Sequence, residues 1–395
     1  MFYTFFMEAE MTLLQSDQLE ALRMEIRRFA QKELAPFEQD VETNNQIPEH
    51  ILARMREQGY FGLTIPKEYG GMGMGKTAFC TVEEELAKTH FAFMDIISLN
   101  NGLGSRSIVL DGDEEQKKKY LPKLASGEWI SAFTLTEPNA GSDAASITTT
   151  AEKKGDVYLL NGMKHFITNA PIADMFIVIA VTDPKKGAKG GISAFIVERD
   201  YPGISIGNIH QSMGMQGSHK SEVIFKDTPV PVKNLIGTEG RGLSVALKTV
   251  DEGRMGVAAT SVGMATRLLE MSVEYASSKT FNDKPLARYQ SFEWLLADMA
   301  TELYAARTML YQTAAKMDRK EDAQLEVAMC KLYGSEMVGR VAEKTMEIFG
   351  KDGCLFENVV ERILRDARIL RIFEGTAEIH RIIIGRKLLA GQRPS

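Results

Sequence analysis

The sequence predicts a multi-domain α+β protein in which a β-rich segment separates two helical domains. Apolar residues recur at helical spacing in the first third, short apolar runs broken by turn residues follow from Trp129, and helical spacing returns after Arg241. The absence of repeated βαβ units argues against a doubly wound parallel sheet. A chain of 395 residues exceeds one ordinary core. We therefore predict domains at 1–128, 129–240 and 241–395.

The N-terminal segment is predicted to be helical. Apolar residues fall on one helical face at Leu19, Leu22, Ile26, Phe29 and Leu34. Further helices are predicted near 48–59 and 77–88. Residues 1–11 contain a short apolar stretch with no basic residue before it and acids directly after it, which makes a poor signal peptide.

The middle segment is predicted to contain strands, and the last segment helices. The β-rich runs are 130–136, 157–160, 166–168, 176–181, 192–197 and 222–225. Glycine, proline and aspartate separate these runs, and several short strands at such spacing indicate a barrel or a sandwich. After Arg241, one long amphipathic stretch opens at Leu243, and helices are predicted over 289–317 and 321–349.

Composition and charge exclude several classes of protein. The chain is 44% hydrophobic and 25% charged with a net charge of −6 and no long basic run, so we expect no nucleic-acid partner. The longest apolar runs, such as 176–181, are too short to span a bilayer, so no membrane partner is expected. The cysteines, Cys80, Cys330 and Cys354, are odd in number and widely spaced, which indicates a reducing compartment. The expected location is the cytoplasm, or an organelle for a processed form.

One stretch matches a phosphate-binding motif, but its context is wrong. Residues 70–77, GGMGMGKT, fit GxxxxGK[ST], in which backbone amides cradle phosphates. A functional motif of this kind follows a buried strand directly, whereas here PKEY intervenes and the surroundings are helical. A flexible Gly/Met loop is the preferred interpretation. The six histidines show no pair at ligand spacing, so no metal site is predicted.

Several motifs carry a resemblance to a known family. They are FTLTEPNAGSD at 133–143, NGMKHFITN at 161–169, MGMQGS at 213–218, FKDTPVP at 225–231, DEGR at 251–254 and RDARILRIFEGTAEIHR at 365–381. Any single motif could occur by chance, but their order along nearly the whole chain is specific. In this ordered set the sequence resembles the acyl-CoA dehydrogenase family.

The resemblance implies a fold, a cofactor and partners. The fold is an N-terminal helical domain, a middle β-barrel and a C-terminal four-helix bundle. FAD would bind between the barrel and the bundle, a neighbouring subunit would complete the site, and a homotetramer is the usual form. The substrate would be an acyl-CoA, used in fatty acid metabolism, and an electron-transferring flavoprotein would accept the electrons.

The chemistry of such an enzyme needs a carboxylate, and the resemblance assigns that role to Glu374. The carboxylate removes a weakly acidic α-proton while a hydride leaves the β-carbon for flavin N5, and the thioester oxygen gains negative charge. Gly375 lets the thioester approach. Some family members carry the base just before the arginine that is Arg254 here, but that position is Gly253. Glu252 lies one residue earlier and would point about 100° away on a helix.

The other matched positions receive family roles. Cofactor contacts at the ring and ribityl end are Phe133, Leu135, Thr136, Gly141, Ser142, Phe166, Ile167 and Thr168. Thr376 and Glu378 are expected at the phosphate end, together with Lys279, Gln290, Glu347 and Gly350. Substrate contacts are Ser142, Asp251, Arg254 and Gly375. An ordinary structural role, such as a turn cap for Ser142 or a core position for Phe166, is the alternative for each.

The sequence departs from the family at the diphosphate end of FAD. Lys279 replaces the arginine of YAxxRxxFGxP and lacks its planar fork, and Asn282–Asp283 replaces Phe-Gly. Glu347 replaces the glutamine of QxxGGxG, and Lys351 is expected to offset its charge. These changes spare the reactive ring, so we expect the chemistry to be retained and the grip on the dinucleotide to be altered.

Alternative functions remain open from the residues alone. The same fold supports an oxidase, an enoyl-CoA reductase or a desulfinase. A non-catalytic acyl-CoA-binding or protein-binding scaffold is a rival of another class, and a P-loop nucleotide hydrolase is a third. Acyl chain length cannot be derived, since homologous pockets differ by only a few methylenes.

Overall fold

The computed structural model describes residues 16–394, so the interpretation of residues 1–11 lies outside the described part. The N-terminal domain is helical, as predicted. Its helices are α1 (Ser16–Phe29), α2 (Glu38–Asn44), α3 (Glu49–Glu57), α4 (Lys76–Leu86), α5 (Phe91–Leu99), α6 (Ser105–Asp111) and α7 (Glu114–Ser126). Helices α5 to α7 were not predicted. The sequence FAFMDIISL of α5 is apolar on nearly every face, so it lacks the periodicity that reveals an amphipathic helix.

The middle domain is one mixed sheet. Its strands are β1 (Ser131–Thr134), β2 (Thr150–Lys154), β3 (Val157–Thr168), β4 (Met175–Val181), β5 (Ile192–Glu198), β6 (Ile204–Ile206), β7 (Lys220–Pro231) and β8 (Leu235–Ile236). The order is β6-β7-β3-β2-β4-β5-β8, and β1 pairs parallel with β4. Two predicted runs, 157–160 and 166–168, belong to the single long strand β3, which Gly162 and β-bulges interrupt.

The expected closed barrel is wrong, because the described sheet stays open. Its end strands β6 and β8 are only three and two residues long, and neither pairs with the other. Helices supply the burial that closure would otherwise provide. Ile177 of β4 packs in a cluster with Tyr120 of α7 and Val245 of the following helix, while Val178 packs in a second cluster on the opposite face.

The C-terminal domain is helical, as predicted. After a short hairpin of β9 (Thr280–Phe281) and β10 (Lys284–Pro285) inserted behind its first helix, the chain returns to helix. The helices are α8 (Gly242–Ser278), α9 (Gln290–Asp318), α10 (Gln324–Phe349), α11 (Val359–Ala367) and α12 (Ala377–Leu389). Helices α8, α9 and α10 pack on one another, and α12 packs against α10.

Helix α8 is the element that connects the domains. It contacts β5 of the sheet, α4 of the N-terminal domain, and both α9 and α10. One hydrophobic core joins α4 and α5 with α8, α9 and α10. None of the helices between residues 16 and 394 is both long and apolar enough to cross a membrane.

Candidate active site

Glu374 lies in the turn that joins α11 to α12. Its φ is 52° and that of Gly375 is 97°, so both residues are left-handed. The hydroxyl of Thr376 then caps α12 by accepting from the N–H of Ile379 at 3.3 Å. A left-handed conformation costs a non-glycine residue about 1 kcal/mol or more, so the surrounding contacts hold Glu374 in place.

The carboxylate of Glu374 packs against α8 at Gly253. A Cβ atom at Gly253 would lie 2.7 Å from Oε2 and 2.9 Å from Oε1. Oε2 is buried, and no hydrogen-bond partner for it occurs among the described residues. Glycine at this position therefore creates the space that the carboxylate occupies.

The electrostatics of the turn suit a general base. Burial raises the pKa of Glu374 to about 7, although the positive charges of Lys331 and Arg254 oppose the shift. Lys331 of α10 is itself buried and donates to the carbonyl oxygen of Gly375 at 2.5 Å. A carboxyl group that titrates near neutral pH is poised for proton abstraction. The sequence offered no signal for Lys331, which interrupts an apolar stretch of α10.

Arg254 fixes the turn to α8. Its Nε donates to the carbonyl oxygen of Glu374 at 3.1 Å, and its guanidinium also pairs with Asp251 one turn earlier on the same helix. The side chain of Arg254 is largely buried. Both residues were predicted to face the CoA moiety, and only Asp251 lines the large cavity described next.

A cavity of about 880 Å³ lies between the N-terminal domain and the C-terminal helices. This volume is within the range of pockets that bind small molecules or cofactors. Its wall includes Met74 and Lys76 of the N-terminal domain, together with Asp251 and Gln324. Glu374 is outside this wall and packs against Gly253, the residue that follows the wall residue Glu252 on α8. The cavity can therefore admit a ligand whose reacting end is buried beyond it.

Glu252, the runner-up base, is engaged in ion pairs. Its carboxylate lies 2.8 Å from Nζ of Lys76 and 3.4 Å from a guanidinium nitrogen of Arg106. Burial alone would raise its pKa, but Lys76 and Arg106 outweigh burial and lower it. A carboxylate with a lowered pKa is a weak base, which supports the choice of Glu374 over Glu252.

The structure also argues against the phosphate-binding interpretation of residues 70–77. The chain before them forms single 3-10 turns, 60–62 and 67–69, rather than a strand. The first amides of α4 are already satisfied: the N–H of Thr77 donates to Asp318 at 2.9 Å, and its hydroxyl donates to the same carboxylate at 2.6 Å. Lys76 is paired to Glu252, so the lysine and the first two N–H groups of this helix already have acidic partners within the chain.

The predicted flavin-ring residues come from two segments that a buried ion pair holds together. Nζ of Lys164 in β3 lies 2.8 Å from the carboxylate of Glu137 and donates to the carbonyl oxygen of Leu135 at 3.1 Å. The N–H of His165 donates to the carbonyl oxygen of Thr136 at 2.9 Å. The end of β3 and the loop after β1 therefore form one surface.

That surface exposes three of the eight predicted contacts fully and four in part. Phe166 is 60% exposed and left-handed, with a φ of 55°. Gly141 and Ser142 are exposed, whereas Phe133 and Thr168 are half-buried. Ile167 points into the core of the sheet, so only its backbone is available to a ligand.

The residues predicted for the diphosphate end are at the surface. Lys279, Gln290, Glu347 and Gly350 are all exposed, and Glu378 is exposed at the start of α12. Nζ of Lys279 donates to Asp352 at 2.9 Å, and the hydroxyl of Tyr275 donates to the same oxygen at 2.7 Å. Lys279 thus already has an acidic partner, which the sequence did not predict.

Two histidines that are far apart in sequence meet beside Phe166. His165, His210 and Glu222 place donor atoms within 4.8 Å of one another, and the carboxylate of Glu222 lies 3.5 Å and 3.3 Å from the two rings. Sequence spacing could not reveal this group, because β3 and β7 pair antiparallel and bring distant segments together.

The fold combines a carboxyl group of raised pKa on the turn before α12 with an exposed surface at the end of β3. Three family descriptions match the chain: acyl-CoA dehydrogenase N-terminal domain over residues 16–128, middle domain over 132–228 and C-terminal domain over 240–389. The chain belongs to the acyl-CoA dehydrogenase family, whose members are flavin-dependent oxidoreductases.

Individual relatives differ in the reaction for which they are named. An acyl-CoA dehydrogenase of Bacillus subtilis is 40% identical over 94% of this chain and 97% of its own length. The CarC subunit of the caffeyl-CoA reductase-Etf complex of Acetobacterium woodii is 40% identical over 95% of this chain and 99% of its own.

Solved structures of relatives share the fold over nearly the full chain. The butyryl-CoA dehydrogenase of Megasphaera elsdenii has a TM-score of 0.92 at 36% identity, covering 96% of this chain and 100% of that one. An FAD complex of PigA has a TM-score of 0.90 at 30% identity, covering 97% and 100%.

Proposed function

We propose that the protein is an FAD-dependent acyl-CoA dehydrogenase that converts an acyl-CoA thioester to its trans-2-enoyl-CoA, with Glu374 as the base. The observation that carries the proposal is the buried carboxylate of Glu374, whose pKa is raised to about 7 and whose Oε2 has no partner among the described residues. Such a group is the acceptor that an α-proton needs.

The backbone of the same turn would donate a hydrogen bond to the thioester oxygen. The N–H of Glu374 donates to no backbone carbonyl among residues 16–394, so it is free to stabilise the charge that develops on that oxygen. Arg254 and Lys331 hold the carbonyl groups of Glu374 and Gly375, which fixes the backbone directly after this N–H. Gly375 leaves the approach to this N–H unobstructed.

The surface around Phe166 fits a flavin ring. An exposed aromatic side chain in a left-handed conformation, next to the exposed Gly141 and Ser142, offers a face and polar edges for a planar ligand. FAD bound there would accept the hydride from the β-carbon. The exposed Lys279, Gln290, Glu347 and Gly350 would contact its diphosphate end.

The proposal includes an electron-transferring flavoprotein as electron acceptor and a homotetramer as the assembled form. A relative of 40% identity is named as part of an Etf complex. Large apolar side chains are exposed close in sequence to Lys279 and Asp352, namely Phe281, Leu355 and Phe356, and Trp294 is exposed on α9. Exposed apolar groups favour contact with another subunit where they form a patch.

Enoyl-CoA reduction, the reverse reaction, is the second candidate, because the CarC relative is named as a reductase subunit. Anaerobic mixing of the flavin-loaded protein with butyryl-CoA and, separately, of its reduced form with crotonyl-CoA compares the two directions. A dehydrogenase should lose its oxidised-flavin absorbance with butyryl-CoA. A protein that cannot bind FAD, or whose flavin no acyl-CoA bleaches, would contradict the proposed function.

A further inference from the structure

A second buried acid, Glu83 of α4, has no role in the chemistry described above. Its side chain is 0% exposed, and neither carboxylate oxygen has a hydrogen-bond partner of good geometry among residues 16–394. Burial raises its pKa well above the ordinary value, and the nearby Ser98 hydroxyl is the main group that opposes the shift. The raised pKa favours the protonated carboxyl group, which can both donate and accept a hydrogen bond.

The two following residues are equally buried acids but are paired. Glu84 accepts from Tyr311 at 2.6 Å and from Arg307 at 3.1 Å. Glu85 lies 3.0 Å from both Arg23 and Arg27. These pairs link α4 to α1 and α9. Glu83 forms no ion pair within residues 16–394. An unpaired buried carboxyl group is destabilising, so its presence needs another explanation.

Glu83 faces the same side of α8 as Glu374 does. A Cβ atom at Gly256 would lie 3.7 Å from Oε2 of Glu83 and 3.0 Å from Oγ of Ser98. Gly253, whose Cβ would lie 2.7 Å from Glu374, precedes Gly256 by three residues. Residues at this spacing share a helix face and are separated by a rise of about 4.5 Å. Gly253 and Gly256 thus leave a strip of α8 without side chains. The carboxyl group of Glu374 packs over one end of this strip, and that of Glu83 packs over the other.

The large cavity lies close to this strip. Its wall includes Lys76, whose charge acts on both Glu374 and Glu83. Along α8, the wall residues Asp251 and Glu252 come first, then Gly253 beneath Glu374, and then Gly256 beneath Glu83. A thioester that enters from the cavity and places its α-carbon at Glu374 would extend the rest of its acyl chain toward Gly256.

We propose that Glu83 and Ser98 form a polar subsite of the acyl pocket, which selects acyl-CoA substrates bearing a hydroxyl or carbonyl oxygen a few carbons beyond the reacting bond. The proposal rests on the proposed function, because it takes Glu374 to mark the α-carbon. A ligand oxygen would supply the partner that Glu83 lacks, whereas a plain alkyl chain would leave both carboxyl oxygens unsatisfied.

The first test measures stability without any ligand. Glu83→Leu in the holoenzyme should raise Tm, since it removes an unpaired buried carboxyl group and adds apolar contact. The matched Glu84→Leu should lower Tm, since it strands Arg307 and Tyr311. If Glu83→Leu lowers Tm as much as Glu84→Leu does, Glu83 is a structural residue and the subsite is refuted.

The second test measures binding without turnover. In the Glu374→Gln holoenzyme, calorimetry would compare butyryl-CoA with 4-hydroxybutyryl-CoA, and hexanoyl-CoA with 6-hydroxyhexanoyl-CoA. We expect at least one hydroxylated ligand to bind about 10-fold more tightly than its alkyl partner. The preference should persist in part in Glu83→Gln and disappear in Glu83→Leu.

The outcomes separate this proposal from the one on which it rests. Equal affinities within both pairs, or a preference that Glu83→Leu leaves unchanged, would overturn the subsite even if butyryl-CoA bleaches the wild-type flavin. Failure of every acyl-CoA to bleach the wild-type flavin would instead contradict the dehydrogenase function, and the binding comparison would still report on Glu83.

Discussion

The carboxylate of Glu374 rests on the bare Cα of Gly253, since a Cβ atom there would lie 2.7 Å from Oε2. The position of Gly253, directly before Arg254, carries the base in some members of the family. In this protein Gly253 and Glu374, the two positions at which a base is known in the family, are in contact. The glycine makes room for the carboxylate of Glu374, the proposed base, which comes from the turn before α12.

Gly253→Ala should therefore displace the carboxylate of Glu374. A methyl group closer than 3 Å to both oxygens forces the side chain away, and a misplacement of about 1 Å costs about 100-fold in rate. Stopped-flow measurement of anaerobic flavin reduction would show the loss. Gly339→Ala on α10 is the matched control, since no atom lies within 4 Å of its added methyl group. An unimpaired Gly253→Ala enzyme would show that this contact does not position the base.

The pH dependence of flavin reduction should follow Glu374. The active form is the carboxylate, so kcat/KM should rise with pH and level off above about 7, the raised pKa of this group. Lys331→Met removes a positive charge that lowers this pKa, so the inflection should move to higher pH. Lys344→Met on the same helix, which releases Glu302 and Asp298 instead, should leave the inflection in place. A downward shift in Lys331→Met would contradict this electrostatic account.

The buried pair of Lys164 and Glu137 should matter for both stability and flavin binding. Lys164→Met leaves a buried carboxylate unpaired, which costs about 3–5 kcal/mol in the free energy of unfolding, as urea titration would measure. Lys164→Met with Glu137→Gln should recover part of the loss. If Lys164→Met is as stable as the wild type, the pair does not hold the flavin surface together.

Acid should weaken the same pair. Burial alone would raise the pKa of Glu137, but Lys164 and the Thr148 and Thr149 groups outweigh it and lower the pKa from 4.5 to about 2. A lowered pKa contributes stability that is present above pH 4.5 and is lost as the pH falls toward 2. Glu137→Gln should flatten this part of the pH–stability profile.

The affinity of the protein for FAD should depend on Asp352, near the proposed site of the diphosphate. This carboxylate holds Lys279 at 2.9 Å and adds negative charge where a diphosphate is proposed to bind. Asp352→Asn should lower the Kd for FAD by about 2- to 5-fold, the range of an exposed ion pair, in titrations of apoprotein. Lys279→Met should raise the Kd. Weaker FAD binding in Asp352→Asn would place the diphosphate elsewhere.

Much of the architecture could be predicted from the sequence. Helical periodicity located α1, α3, α9 and α10, because each buries one face and leaves the other more exposed. Helix α4 was also predicted, although nearly all of its residues are buried. The closed barrel was wrong because closure depends on whether the end strands meet, and strands as short as β6 and β8 leave no local signature. Helix α5 was missed because it is apolar on nearly all sides.

The site was predicted only in part. The motif singled out Glu374 as the candidate base, but it did not reveal Lys331, whose charge opposes the rise in the pKa of Glu374 and whose position in α10 gives no hint that it reaches Gly375. Asp352 and Glu83 were missed for the same reason. Contacts between residues distant in sequence depend on how α4, α8 and α10 pack, which local patterns do not encode.

The most direct test of the account is the rate of anaerobic flavin reduction by butyryl-CoA in Glu374→Gln, compared with the wild type at equal flavin content. The amide keeps the shape of the side chain but cannot accept the α-proton. We expect the rate to fall by about 10²- to 10⁴-fold, the usual contribution of a general base, while acyl-CoA binding is retained. Reduction at the wild-type rate would show that another residue removes the proton and would contradict the central claim.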